Sequence, residues 1–355
     1  MLKRAFALLV VPLAVGALAG SAAAEHSSGY HVRRLVSDQP GHARHLDPNL
    51  VNAWGLTAGP TTPWWVANNG TDTSTLFDRT GTAIPLVVSV PGAPTGAVFN
   101  GGSQFVVTDG TNSGPALFLF ATESGTILGW SPAVPPPAPS TQAQVAFTAS
   151  DGAIYKGLAI ANTSRGPRLY ATDFHNGRID VFDGSFTPIS RPHRFTDPAI
   201  PSGFAPFGIR NIGGRLFVTY AKQDANREDD VHGPGLGFVD VFGTGGKLLA
   251  RVATRGPLNA PWGLAKAGEH FGRFSGDLLV GNFGNGQINA YRHHEGQWEH
   301  VGTLHTPEGH TLTIDGLWAL SFGNGSVAGA RSTLFFTAGP DDESHGLFGS
   351  IRPQD

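Results

Sequence analysis

Apolar residues along this chain alternate with polar ones or gather in runs of four to seven, and Gly, Pro, Asn or Asp closes most runs. That is the patterning of half-buried strands, not of helices. One short phrase recurs six times, an apolar strand opening on Gly-Leu or a near variant. The openings are Trp54-Gly55-Leu56, Gly96-Ala97-Val98, Lys156-Gly157-Leu158, Phe207-Gly208-Ile209, Trp262-Gly263-Leu264 and Trp318-Ala319-Leu320, spaced 42 to 60 residues apart. Each is followed by a second strand ending in a polar or small residue, expected over 64–68, 116–123, 168–173, 215–220, 277–282 and 333–338. Third strands are expected over 74–77, 127–130, 179–182, 238–242, 288–291 and 346–349. Repeats of this length built from short strands mean stacked β-units, and six of them set radially make an all-β, six-bladed β-propeller.

The last repeat runs out of chain after its third strand, while residues 32–36 form an orphan strand ahead of the first. A closed ring leaves no sheet edge exposed. The outer strand of the last blade is therefore expected from the mature N-terminus. Ahead of it, Lys3 and Arg4 precede an apolar run over 5–18, and Ala22-Ala23-Ala24 stands before Glu25. Charge, apolar stretch and small-residue cut site in that order predict a secretory signal peptide over 1–24, with a single propeller domain over 25–355. The expected location is secreted or periplasmic, and the apolar run is too short for a membrane anchor.

Composition narrows the partners. The chain has no cysteine, so the core alone must hold it although an oxidising compartment would permit disulfides. Net charge is −3 and only 14% of residues are charged, with no basic patch for nucleic acid. Gly (49) and Pro (26) suit many strands joined by tight turns. A monomer taking a small-molecule or carbohydrate ligand is the expectation. No Gly-x-Ser-x-Gly elbow points to a serine hydrolase, and Gly243-Thr244-Gly245-Gly246-Lys247 sits in a hairpin with no helix to hold a phosphate.

Four stretches carry a resemblance: Leu35 to Gly41, Asp47 to Gly55, Asn259 to Leu264 and Ile314 to Trp318. They resemble an uncharacterised family of exported bacterial propellers, some of whose members carry a PEP-CTERM tail that this chain lacks. The resemblance implies a propeller in the neighbourhood of gluconolactonases and calcium-dependent phosphotriesterases, and it supplies no activity by itself.

In a propeller the start of each inner strand and the end of each second strand share one rim of the channel. The second strands end at Asn68, Glu123, Asp173, Tyr220, Asn282 and Ala338. Asn68, Glu123, Asp173 and Asn282 offer oxygen ligands, which suit Ca²⁺ or Mg²⁺ better than zinc or copper. The set is similar in residue type to the metal shell of gluconolactonase-like propellers, except that Asn52 stands where that shell has a glutamate. Turn chemistry is the other reading of the same residues. Trp54, Phe207, Trp262 and Trp318 are candidate walls for a substrate, or wedges between blades. His175, two residues after Asp173, is a candidate for proton transfer, and Tyr220 and Lys156 could add a phenol and an ammonium. The acidic run Asp224 to Asp230 spaces oxygens like a calcium loop but lacks the glycine and distant glutamate of an EF-hand, and also suits a solvated loop.

Two functions stay open on these grounds. One is a metal-assisted hydrolase or lyase acting on a lactone, ester or sugar-derived substrate at the channel. The other is a non-catalytic ligand-binding or scaffold propeller, with any metal purely structural.

Overall fold

Strand follows strand through the whole computed structural model, which describes residues 29–190 and 192–354. The expected signal peptide over 1–24 lies outside the described residues. Only two three-residue 3₁₀ turns, Asn69–Thr71 and Gly272–Phe274, break the all-β pattern among the described residues. Six sheets form the six blades, and a small hairpin (Val106–Thr108 with Ser113–Pro115) is inserted into the second.

Each blade runs from an inner strand outward. The inner strands are Ala53–Thr57, Pro94–Phe99, Tyr155–Thr163, Phe204–Ile212, Pro261–Lys266 and Leu317–Phe322. Their second strands are Trp64–Asn68, Phe118–Thr122, Gly166–Asp173, Arg215–Gln223, Leu278–Asn282 and Leu334–Ala338. Blade 3 has only three strands. Its outer edge is reduced to a bridge between Phe182 and Pro188, because proline has no N–H to continue a ladder.

The same irregularity recurs in all six inner strands. Each carries a bulge against its second strand at the start of the repeated phrase, for example between Ala53 and Leu56 or between Tyr155 and Gly157. A bulge twists the strand and re-aims its side chains, here toward the axis. Just past it, in every blade but the sixth, where Ala319 stands, a glycine faces the backbone of the next blade. A Cβ on Gly55 would come within 2.3 Å of the Thr95 carbonyl oxygen, one on Gly157 within 2.8 Å of that of Phe207, and one on Gly208 within 2.2 Å of that of Trp262. Side chains cannot fit at those distances, so glycine is required by approach and not by dihedral angle. This places Thr95-Gly96-Ala97, not Gly96-Ala97-Val98, as the equivalent of Trp54-Gly55-Leu56. The sequence alignment of the second repeat was one residue late.

Buried threonines stitch neighbouring blades at the same level. Thr172 Oγ1 donates to the Phe207 carbonyl at 2.7 Å, and Thr337 Oγ1 to the Trp54 carbonyl, each reaching the next blade. Between blades lie apolar clusters such as Trp64, Phe77, Phe335 and Phe348.

The ring closes as expected. Tyr30–Ser37 pairs antiparallel with Leu347–Pro353, from Tyr30 opposite Pro353 to Ser37 opposite Leu347. Blade 6 is thus made from both ends of the chain, and Tyr30, 2% exposed, anchors the seam by donating its hydroxyl to the Phe271 carbonyl at 3.0 Å. Removing residues 30–37 strips this outer strand and uncovers the buried apolar surface of Phe348 and Ile351 that it covers. The expected result is loss of the cooperative thermal transition in circular dichroism; an unchanged melt would refute closure by this strand.

Candidate functional site

The bulges aim the first residue of each phrase at the axis, and most of those residues are aromatic. Trp54 and Trp318 stack with ring centroids 3.6 Å apart, and Phe283 stacks on the other side of Trp318 at 3.8 Å. Phe207 and Trp262 close on Trp318 edge-on at 5.9 and 6.0 Å. Trp54, Trp318 and Phe207 are at most 1% exposed. They therefore plug the channel. Trp262 is the partly buried member, and its Nε1 donates to the Lys156 carbonyl at 2.9 Å.

Lys156 is the one charged residue among these six positions. Its side chain is 2% exposed, with Nζ 5.3 Å from the centroid of the Trp54 ring. An ammonium at such a site needs counter-charges. Nζ donates to Glu123 Oε1, and to Asp229 Oδ1 at 3.0 Å. Burial works to lower the Lys156 pKa, but Glu123 and then Asp229 outweigh it and hold the group above the ordinary lysine value. Glu123 Oε2 also accepts from Asn69 Nδ2 at 2.8 Å.

A third carboxyl, Glu343, belongs to the same group. Asn52 Nδ2 donates to Glu343 Oε2 and to Asn69 Oδ1, while Asn52 Oδ1 accepts from Trp318 Nε1 at 2.9 Å. Burial pushes the Glu343 carboxyl up to about 7; Asn52 and Lys156 oppose the rise, and Glu123 and Asp229 add to it. Glu343 ends a run of three non-glycine residues in the left-handed region, Asp341 (φ 55°), Asp342 (φ 50°) and itself (φ 65°), and Asn52 has φ 44°. Such backbone costs about 1–2 kcal/mol per residue and persists only where its surroundings hold it.

His232 stands at the same mouth. Its ring meets Phe283 edge-on at 5.1 Å, and Nε2 lies 3.0 Å from Asp230 Oδ2. Asp230 raises its pKa above the usual imidazole value against the effect of burial, with smaller contributions from Glu343 and Asp342. The mouth thus holds a buried ammonium ringed by carboxylates, and a carboxyl and an imidazole both shifted toward neutral pH.

The expected site residues divide. Lys156, Glu123, Trp54, Phe207, Trp262 and Trp318 come together at the axis. Asn68, Asp173 and Asn282 occupy equivalent ends of second strands, each fully buried, and bond locally. Asn68 Nδ2 donates to Thr73 and Thr75, Asn282 Nδ2 to the Pro257 carbonyl and Asn285, and Asp173 accepts from Asn176 and lies 3.2 Å from Arg178. Among the described residues, no three of His, Asp and Glu are grouped as metal ligands. The Oδ1 atoms of Asn68 and Asn282 have no hydrogen-bond partner. His175 sits on its turn half-buried, with Nδ1 unpaired.

Tyr220 is placed differently from the expectation. The second strand of blade 4 runs on to Gln223, so Tyr220 falls inside it and packs between blades 3 and 4 with Tyr170, Phe195 and Phe238. Its hydroxyl is held protonated by burial and by Asp240 and Asp197, away from the Lys156 group.

Asp229, His232, Asn69 and Glu343 were missed because they lie in loops, outside the strand-end pattern. The acidic run that includes Asp229 looked like a solvated surface loop. Asp224 does cap its own turn by accepting from the Glu228 backbone at 2.9 Å, which carries Asp229 over Lys156. A buried lysine demands acids, and that demand was the available signal.

No protein-family model matches the chain. It is similar to solved propellers over its whole length: a streptogramin B lyase (TM-score 0.52, 10% identity, 92% of this chain and 98% of that one) and the soluble aldose sugar dehydrogenase of Escherichia coli (TM-score 0.54, 12% identity, 92% and 100%). At such identity the likeness is one of fold. An uncharacterised protein of Acanthamoeba polyphaga mimivirus is 34% identical over 332 residues, covering 91% of this chain and 85% of the relative. A second from the same virus is 32% identical over 332 residues, covering 91% and 80%. The chain therefore belongs to one protein family with these two viral proteins.

Proposed function

We propose that the mouth is an acid–base site, acting by hydrolysis or elimination on a small polar substrate such as a lactone, an ester or a sugar-derived molecule. The observation that carries this reading is Glu343: a carboxyl on a strained left-handed turn, fixed by Asn52 and brought to about 7 beside a buried ammonium. Groups poised near working pH are what proton transfer requires. Glu343 is the base and His232, raised above its ordinary value, the acid. Lys156 is too buried to touch a substrate. It fixes the charge state of its neighbours and favours negative charge developing at the mouth. Export through a leader over 1–24, as in the bacterial propellers that residues 35–41 and 47–55 resemble, is part of the same proposal.

One observation favours a cation-assisted form. The unpartnered, fully buried Oδ1 atoms of Asn68 and Asn282 are the kind of oxygen a calcium or magnesium ion takes. Glu123 and Asp173 would complete that set only by leaving Lys156 and Arg178. A melting temperature that rises with calcium and falls with chelator supports this form; one indifferent to both leaves Lys156 as the resident cation.

Two outcomes test the acid–base site. With Glu343 as base the rate rises as pH climbs through about 7, and with His232 as acid it falls again above that histidine's raised pKa, giving a bell. In a screen of lactones, esters and uronic-acid glycans, Glu343→Gln should lower kcat/KM by about 10²–10⁴ and remove the acid limb. No turnover by the folded wild type would favour the non-catalytic binding propeller. The second outcome needs no substrate. An acid whose pKa rises on folding binds its proton more tightly when native, so Glu343 costs stability as pH rises from its unfolded value toward about 7. Glu343→Gln should therefore stabilise the protein at pH 8 relative to pH 5, by on the order of 2 kcal/mol in denaturant unfolding. An equal effect at both pH values would show that Glu343 titrates normally.

A further inference from the structure

Below the aromatic plug the channel opens again. A cavity of about 290 Å³ lies between the later residues of the inner strands, lined by Leu56, Phe99, Ile160, Trp262 and Leu320 among others. Its lining mixes apolar side chains and glycines with the polar Thr57 and Asn211, and its one charged residue is Arg210. Among the described residues three arginines are ion-paired, each with an aspartate: Arg178 with Asp151, Arg251 with Asp240 and Arg292 with Asp277. Arg210 has none among the described residues. Nη1 donates to the Leu320 carbonyl at 2.6 Å and Nη2 to Ser321 Oγ at 2.8 Å. A guanidinium carries five N–H donors, so most of its donor capacity is unspent. Burial alone acts on it and lowers its pKa to about 10, which leaves it charged at neutral pH.

Arg210 is half-buried, so its unspent donors face the open space of the cavity with no counter-ion beside them. The neighbouring Asn211 does not compete for a ligand, since its Nδ2 donates to the Ile160 carbonyl at 2.8 Å and its Oδ1 accepts from the Gly214 backbone at 3.0 Å. What remains is one planar cationic fork in a small chamber whose larger side chains, Leu56, Phe99, Ile160 and Trp262, are apolar. That combination matches a carboxylate, which takes two parallel N–H bonds, joined to a compact apolar body that fills the rest. Inorganic phosphate or sulfate would satisfy the fork but leave the apolar walls facing water.

We propose that the channel end opposite the charged mouth is a binding site for a small organic monocarboxylate, held by Arg210 and by the apolar walls of Leu56, Phe99, Ile160 and Trp262. The site is independent of the mouth, because the stacked tryptophans separate the two. The bland alternative is that Arg210 only braces blade 4 against blade 6 through Leu320 and Ser321.

Isothermal titration of the whole protein distinguishes them, with benzoate and hexanoate as carboxylate probes, benzamide as the neutral isostere and inorganic phosphate as the bare anion. Benzoate or hexanoate should bind and raise the melting temperature, with benzamide and phosphate each at least about tenfold weaker. Arg210→Gln should weaken carboxylate binding by about tenfold or more, and Arg210→Lys by less. If Arg210→Gln does not fold, the comparison of benzoate with benzamide on the wild type still decides. Equal affinity for benzamide, phosphate binding as tight as benzoate, retention of binding in a folded Arg210→Gln, or no heat with any probe at about 10 mM would each overturn the assignment.

Discussion

Six backbones meeting around one axis is the constraint from which the rest of this molecule follows. The inner strands approach so closely that a methyl group on Gly55, Gly157 or Gly208 would collide with the next blade's carbonyl. The bulge beside each glycine follows from the same crowding, because it lets one strand carry a large inward side chain and, one residue later, none at all. The threonines at that level then satisfy carbonyls that the bulges withdraw from the ladders, as Thr172 does for Phe207. The same geometry gathers the bulky residues into a plug. A channel with two chemically distinct ends results, one carrying titratable groups and the other a lone guanidinium.

Charge placement at the mouth is a consequence of substituting a single spoke. Where other blades contribute Trp54, Phe207, Trp262 or Trp318, the third contributes Lys156. An ammonium in an aromatic surround draws acids from wherever the chain can supply them: Glu123 from a strand end, Asp229 from the loop of blade 4. Burial beside this cluster raises the third carboxyl, Glu343, with Glu123 and Asp229 adding to the rise and Lys156 opposing it. The site is thus an electrostatic response to one buried cation as much as a set of separately placed residues.

Strand order and blade number were legible in the sequence because period-2 patterning and turn residues are local signals. The second strand over 64–68 and the third over 127–130 match the observed elements to within a residue. The seam was legible for a topological reason: an orphan strand and a missing strand imply each other. The site was half legible. Lys156, Glu123 and the tryptophans follow the repeat, so counting finds them. Glu343 and Asp229 do not, since their position depends on left-handed turns and on a loop folding back over the axis. Tyr220 shows the converse failure: the pattern suggests a strand end there, but pairing with Asp230–Val231 carries that strand on to Gln223. The unpaired state of Arg210 is visible only in three dimensions, because nothing local to it in sequence reveals which charges it lacks.

Blade 6 also sets an order of events. Tyr30–Ser37 is made long before its partner Leu347–Pro353. During nearly all of synthesis the first strand has no edge to join, and the sheet between Leu317 and Ala338 is open on its outer side. The ring cannot lock progressively, as a linear stack of repeats can. A chain of this design stays open until Leu347–Pro353 meets Tyr30–Ser37, so the last blade depends on the longest-range pairing in the fold.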